Sequence, residues 1–131
     1  MVVDTSALIA VLLLEPEAAR ITEVLEGAPL CVLSAANLLE ASIVIEGRKR
    51  DAGSHDLDLL LYHSGVEIVP VDQDQAELAR LAWRRFGKGR HPAALNYGDC
   101  FAYALAKSRD LPLLFVGSDF SQTDIARVPL D

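Results

Sequence analysis

An α/β fold of three layers, α/β/α, around a central and mostly parallel sheet of four to five strands is predicted by three observations. Short apolar segments at Met1–Val3, Leu30–Leu33, Val66–Val71 and Pro112–Val116 alternate with segments of helical period. Strands buried on both faces read as apolar runs, and parallel neighbours need crossovers, usually helical. The 131 residues are 51% hydrophobic but only 6% aromatic, so Leu, Ile, Val and Ala must fill the core, and a single domain over residues 1–131 is expected.

The elements follow in order along the chain. Met1–Val3 is a short strand ended by Asp4, and Thr5–Leu14 is helical. Pro16 opens a second helix over Glu17–Glu26, closed by Gly27. After the strand Leu30–Leu33, Ser34 is a favoured N-cap for a helix to about Arg50, where Gly47 and the Arg48-Lys49-Arg50 cluster suit a C-terminal end. Asp51–Ser54 is expected to turn and a further helix to run to about His63. Gly65 breaks it before the third strand, Val66–Val71. Asp72 or Gln73 begins an amphipathic helix to Phe86, whose apolar positions fall mostly on one face. Gly87–Gly98 is the long loop, Asp99–Arg109 an apolar helix, Pro112–Val116 the fourth strand, and Ser118 onward a short helix or turn. Arg127–Leu130 is the candidate fifth, edge strand.

Composition narrows the function classes. Cys31 and Cys100 lie in apolar runs without metal-ligand or redox spacing, which favours two buried free thiols over a disulfide. Met1–Leu14 lacks a basic leader and is interrupted by Asp4, so a signal peptide is not expected, and no stretch is long and apolar enough for a membrane span. A soluble, cytoplasmic protein is the expectation. His55, His63 and His91 form no zinc-binding set, and neither a G-x-S-x-G elbow nor a Gly-rich phosphate loop is present. The net charge of −7 speaks against simple phosphate neutralisation, yet it counts carboxylates that a bound cation would neutralise. Positive charge is concentrated in Arg84, Arg85, Lys88 and Arg90, the candidate residues for contacting nucleic-acid phosphates, although a basic helix end also suits the dipole. A basic partner protein would suit the acidic chain equally well.

Four acids stand out: Asp4, Glu40, Asp99 and Asp119. Asp4 and Asp119 follow the first and fourth strands, where α/β sheets bind ligands. Asp4, Asp99 and Asp119 are each explicable as helix caps or dipole partners. Glu40 lies mid-helix among apolar residues with no Lys or Arg three or four positions away, and a carboxylate there is costly unless paired or coordinated. A narrow solvent-facing stripe shared with Asn37 is the bland alternative. Asp124, in the final loop, is an outer candidate.

Set side by side, these residues resemble the motifs of PIN-domain ribonucleases, specifically the VapC toxins of type II toxin–antitoxin (VapBC) pairs. Met1-Val2-Val3-Asp4-Thr5-Ser6-Ala7-Leu8 resembles the first motif, Ser34-Ala35-Ala36 through Leu39-Glu40-Ala41 the second, Asn96-Tyr97-Gly98-Asp99 through Ala106 the third, and Leu113 through Asp119-Phe120 with Thr123-Asp124-Ile125 the last. Four weak motifs in order, over nearly the whole chain, make a specific pattern. Two positions depart from it: Val116 stands where many relatives carry Lys, and Ser118 where an acid or Asn is common.

The resemblance implies a PIN-like fold and hydrolysis of RNA phosphodiesters to 5′-phosphate and 3′-hydroxyl ends. Mg2+ or Mn2+ is the implied cofactor, since hard cations prefer oxygen ligands. Asp4 and Asp99 would hold the principal ion, with Glu40 and Asp119 joining directly or through water and Thr5 and Ser6 supporting the site. The implied partners are a VapB-type antitoxin covering the acidic cleft and a second copy in a homodimer, with higher toxin–antitoxin assembly. A DNA-directed metal nuclease, or a catalytically weak module that binds RNA or antitoxin, are the alternatives.

Overall fold

The computed structural model describes residues 1–131. Four strands, β1 (Val2–Val3), β2 (Val32–Ser34), β3 (Glu67–Val69) and β4 (Leu113–Leu114), form one sheet in the order β3-β2-β1-β4. Every pairing is parallel, with Val2 opposite both Val32 and Leu113. The helices are α1 (Thr5–Leu12), α2 (Ala18–Gly27), α3 (Ala35–His63), α4 (Gln73–Phe86) and α5 (Tyr97–Arg109), followed by a 3-10 turn, Asp119–Gln122.

Two apolar clusters, one on each face, make the layers. Ala7, Leu8 and Ile21 of the first two helices pack with Ile45 and Leu57 of α3 against Val3 and Leu33. Ala79 and Ala82 of α4 pack with Ala102, Tyr103 and Leu105 of α5 against Val2 and Val32. Successive strand residues point to opposite faces, so Val2 and Val3 serve different clusters. Aliphatic residues supply most of the two clusters.

Three expectations are corrected. Asp51–Ser54 is helical, and the chain changes direction at one residue, Arg50 (φ 55, ψ −139), inside α3. Gly53 permits this tight bend, because a Cβ there would lie 2.7 Å from the Ile45 carbonyl oxygen. The last helix starts at Tyr97 rather than Asp99 because Asn96 caps it. Arg127–Leu130 adds no full strand; Arg127 forms a single parallel bridge to Leu113, leaving four strands. Cys31 and Cys100 are buried free thiols, as expected. No helix is long and apolar enough to cross a membrane.

Candidate metal-binding and catalytic site

Because β1 and β4 run parallel, the residues that follow them emerge at the same end of the sheet. There a pocket of about 330 Å3 brings together Asp4, Glu40, Asp99 and Asp119, with Thr5, Ser6, Glu15, Asn96 and Val116 also on its wall.

Asp4 is both a cap and a pocket residue. Its Oδ2 accepts the Ser6 amide at 3.1 Å and the Ser6 hydroxyl at 2.6 Å, closing the N-terminus of α1. The same hydroxyl accepts the Val116 amide at 3.0 Å, which ties the end of β4 to α1. The other oxygen, Oδ1, is buried without a hydrogen-bond partner. Burial pushes the Asp4 carboxyl up to about 6, aided by the charge of Glu40 and opposed by the Ser6 hydrogen bonds.

Asp99 closes a capping box: Asn96 Oδ1 accepts the Asp99 amide at 2.9 Å, and Asp99 Oδ2 accepts the Asn96 amide at 3.0 Å. Burial raises its carboxyl to about 7 against the Asn96 bond, and the charges of Asp4, Asp119 and Glu40 add to the rise. Four acids at one end of a sheet thus repel one another, which a cation would relieve.

Glu40 reaches the pocket from α3. Its Oε1 accepts the Thr5 hydroxyl at 2.5 Å and Asn37 Nδ2 at 3.2 Å. Asn37 is fully buried, so the solvent-facing stripe fails as an explanation of Glu40. Asp119 opens the 3-10 turn and is exposed; Gly117 (φ +100) turns the chain out of β4, and Phe120 anchors the turn against Phe115 at 5.1 Å between ring centroids.

The sequence named Asn37 only as a stripe neighbour and Asn96 only as part of a motif, so their roles at the site were missed, and Glu15 was not singled out at all. Asn37 sits one turn before Glu40 on the same helix face, a spacing that could have exposed it. Asn96 and Asp99 have capping-box spacing, hidden by starting the helix two residues late. Glu15 carries no such signal; it follows a turn at Leu14 (φ 53) that spacing does not reveal.

Asp124 is not part of the site. It accepts the Tyr103 hydroxyl and Lys107 Nζ, each at 2.7 Å, and pairs with Arg85 at 3.5 Å, away from the pocket. Arg84, Arg85, Lys88 and Arg90 are exposed, and none lines the carboxylate pocket. Arg90 instead lies 4.0 Å over the Trp83 ring.

No three His, Cys, Asp or Glu side chains are drawn close enough to cage an ion by themselves. The donor set nevertheless fits a hard divalent cation, which takes oxygen ligands and retains several waters. The unpartnered, buried Asp4 Oδ1 is the specific observation in favour, since a buried charged oxygen without a partner is costly.

Comparison with known proteins agrees in family and fold. The PIN domain model matches residues 1–126. Ribonuclease VapC of Mycolicibacterium smegmatis is 55% identical, covering 98% of this chain and 99% of that protein. Ribonuclease VapC30 of Mycobacterium tuberculosis is 52% identical, covering 99% of each. Among solved structures, Mycobacterium tuberculosis VapC20, a sarcin–ricin loop cleaving toxin, superposes with a TM-score of 0.79 at 16% identity over 97% of each chain. FitAcB of Neisseria gonorrhoeae gives a TM-score of 0.66 at 21% identity, covering 98% of this chain and 96% of that one. The chain therefore belongs to the PIN domain family, within its VapC group.

Proposed function

We propose that the chain is the toxin of a type II toxin–antitoxin pair and cleaves RNA as a divalent-metal-dependent endoribonuclease. The observation that carries this reading is a buried aspartate with one unpartnered oxygen, Asp4, sharing its pocket with Asp99, Glu40 and Asp119. Relatives above 50% identity named as VapC ribonucleases support it.

Asp4 and Asp99 are the principal ligands in this reading, with Glu40 and Asp119 completing the set. When bound, Mg2+ or Mn2+ supplies charge neutralisation for the phosphate and its leaving oxygen. Glu40, held by Thr5 and Asn37, orients the attacking water and accepts its proton. Ser6 keeps Asp4 in place through its hydroxyl, and the Asn96 capping box does the same for Asp99. Mobile side chains would lose this positioning. A VapB-type antitoxin with a basic segment fits the acidic pocket by charge.

Purified protein with Mn2+ is expected to cleave members of a panel of transfer, ribosomal and messenger RNA, and to spare single-stranded DNA. Asp4→Asn and Asp99→Asn should abolish the cleavage. Undiminished cleavage by either variant would sink the assignment, and preferential cutting of DNA would move the substrate.

A further inference from the structure

A second recess, of about 540 Å3, lies between α4 and α5 and meets the carboxylate pocket at Asn96, which lines both. Its character is opposite to that of the first. Ala79, Leu95 and Cys100 are its buried apolar wall, and the rings of Trp83, Tyr97 and Phe101 border it. Trp83 is 42% exposed and Tyr97 81%, with the Tyr97 ring edge-on to Phe101 at 4.9 Å. Such rings left in water beside a concave apolar surface mark a binding site more than a packing need.

The charges around this recess are positive. Arg80 and Lys88 line it, and Arg90 lies over Trp83, whereas no carboxylate is on its wall. Arg80 has an exposed partner in Glu77 at 3.4 Å, while Lys88 and Arg90 form no ion pair.

We propose that this recess is a subsite for an unpaired nucleobase of the RNA, next to the nucleotide whose phosphate reaches the carboxylates; it rests on the ribonuclease reading. A single strand offers the two things the recess selects, flat apolar faces and negative charge. Proteins that hold single-stranded RNA stack bases on aromatic rings and track the backbone with cations. A basic peptide suited to the acidic pocket would meet Arg80, Lys88 and Arg90 here, so charge disfavours it as the occupant. The recess also answers a difficulty at the site itself. Carboxylates repel an approaching phosphate chain, and a neighbouring base anchor holds the strand in register against that repulsion.

Trp83 is the chain's single tryptophan, so its fluorescence reports on this recess alone. Rapid mixing of the unaltered protein and Mg2+ with a short mixed-sequence RNA should quench that fluorescence before product forms. An abasic ribose-phosphate oligomer of the same length should not. Tyr97→Ala, which removes an exposed ring and should leave the melting curve unchanged, is expected to weaken the quenching interaction roughly tenfold and to raise KM more than it lowers kcat. Trp83 variants lack the reporter and are compared by steady-state cleavage instead: Trp83→Phe should keep a KM close to that of the unaltered chain, and Trp83→Ala should raise it. Equal quenching by the two oligomers, no quenching by either, or an unaltered affinity in Tyr97→Ala would overturn the subsite. A shift of the emission on addition of co-purified antitoxin but not of RNA would assign the recess to a protein partner and equally overturn it. The product measured in the same mixing experiment separates the two readings. Cleavage without base-dependent quenching removes the subsite alone, and base-dependent quenching without cleavage removes the ribonuclease assignment alone.

Discussion

Asn37 commits its amide nitrogen to two acceptors, Glu40 Oε1 at 3.2 Å and the Gly98 carbonyl at 3.0 Å, and so links α3 to the first turn of α5. Together with the Thr5 hydroxyl it fixes where the Glu40 carboxylate points. Groups that orient a metal-site carboxylate typically matter about 10–100-fold for activity or metal affinity. Asn37→Ala is therefore expected to lower Mn2+-dependent cleavage by that order while the chain still folds. Asn37→Asp preserves the shape but replaces the donor with an acceptor facing Glu40, so it should do no better than Ala. Steady-state cleavage with a Mn2+ titration checks both, and a fully active Asn37→Asp would show that Glu40 needs no such support.

At the scale of elements, α3 and α5 approach so closely that a Cβ on Gly98 would overlap the Glu40 carboxylate. Gly98→Ala should thus displace Glu40 from the pocket and lower cleavage at least tenfold, on the order of a lost supporting contact, with only a small change in melting temperature. The bend inside α3 makes a different prediction. Arg50 holds a positive φ that costs a non-glycine residue about 1–3 kcal/mol. Arg50→Gly relieves that strain against an entropic cost of about 0.5–1 kcal/mol, so a gain of roughly 1 kcal/mol in chemical denaturation is expected. The same two helices show what the sequence made legible. Apolar runs located the four strands, Ser34 and Asp72 marked the starts of α3 and α4, and Asp4, Glu40, Asp99 and Asp119 were visible as acids at sheet ends, at a helix start or in apolar surroundings. The bend at Arg50 and the packing of Gly98 against Glu40 were not, because both arise from helix approach in space and leave no periodic trace. Asp124 misled for a similar reason: its partners Tyr103, Lys107 and Arg85 are near it only after folding.

For the whole molecule, the carboxylate pocket couples folding to pH and, in the proposed function, to cations. Asp4 and Asp99 have folded-state pKa values raised from 3.8 to about 6 and about 7, chiefly by burial. Raised acids bind protons more tightly in the native state than in the unfolded chain, so they favour folding at low pH and disfavour it once ionised. Their destabilising effect begins as pH rises above about 4 and is complete once pH passes about 7. Each pKa unit corresponds to about 1.4 kcal/mol, and general repulsion in a chain of charge −7 acts in the same direction. In EDTA the melting temperature should therefore fall between pH 5 and pH 8, by roughly 5 °C or more. Asp4→Asn separates the pocket from the general charge, because it removes one buried titration while changing the net charge by a single unit. Its melting temperature should fall less over the same range. At pH 8, Mg2+ or Mn2+ should raise the melting temperature of the unaltered chain by linkage, and Asp4→Asn should lose most of that gain. Calorimetric scans at the two pH values, with and without the cation, provide the comparison. Identical pH slopes and identical cation responses in the two proteins would mean that the buried Asp4 carboxylate neither titrates as its surroundings dictate nor meets the cation.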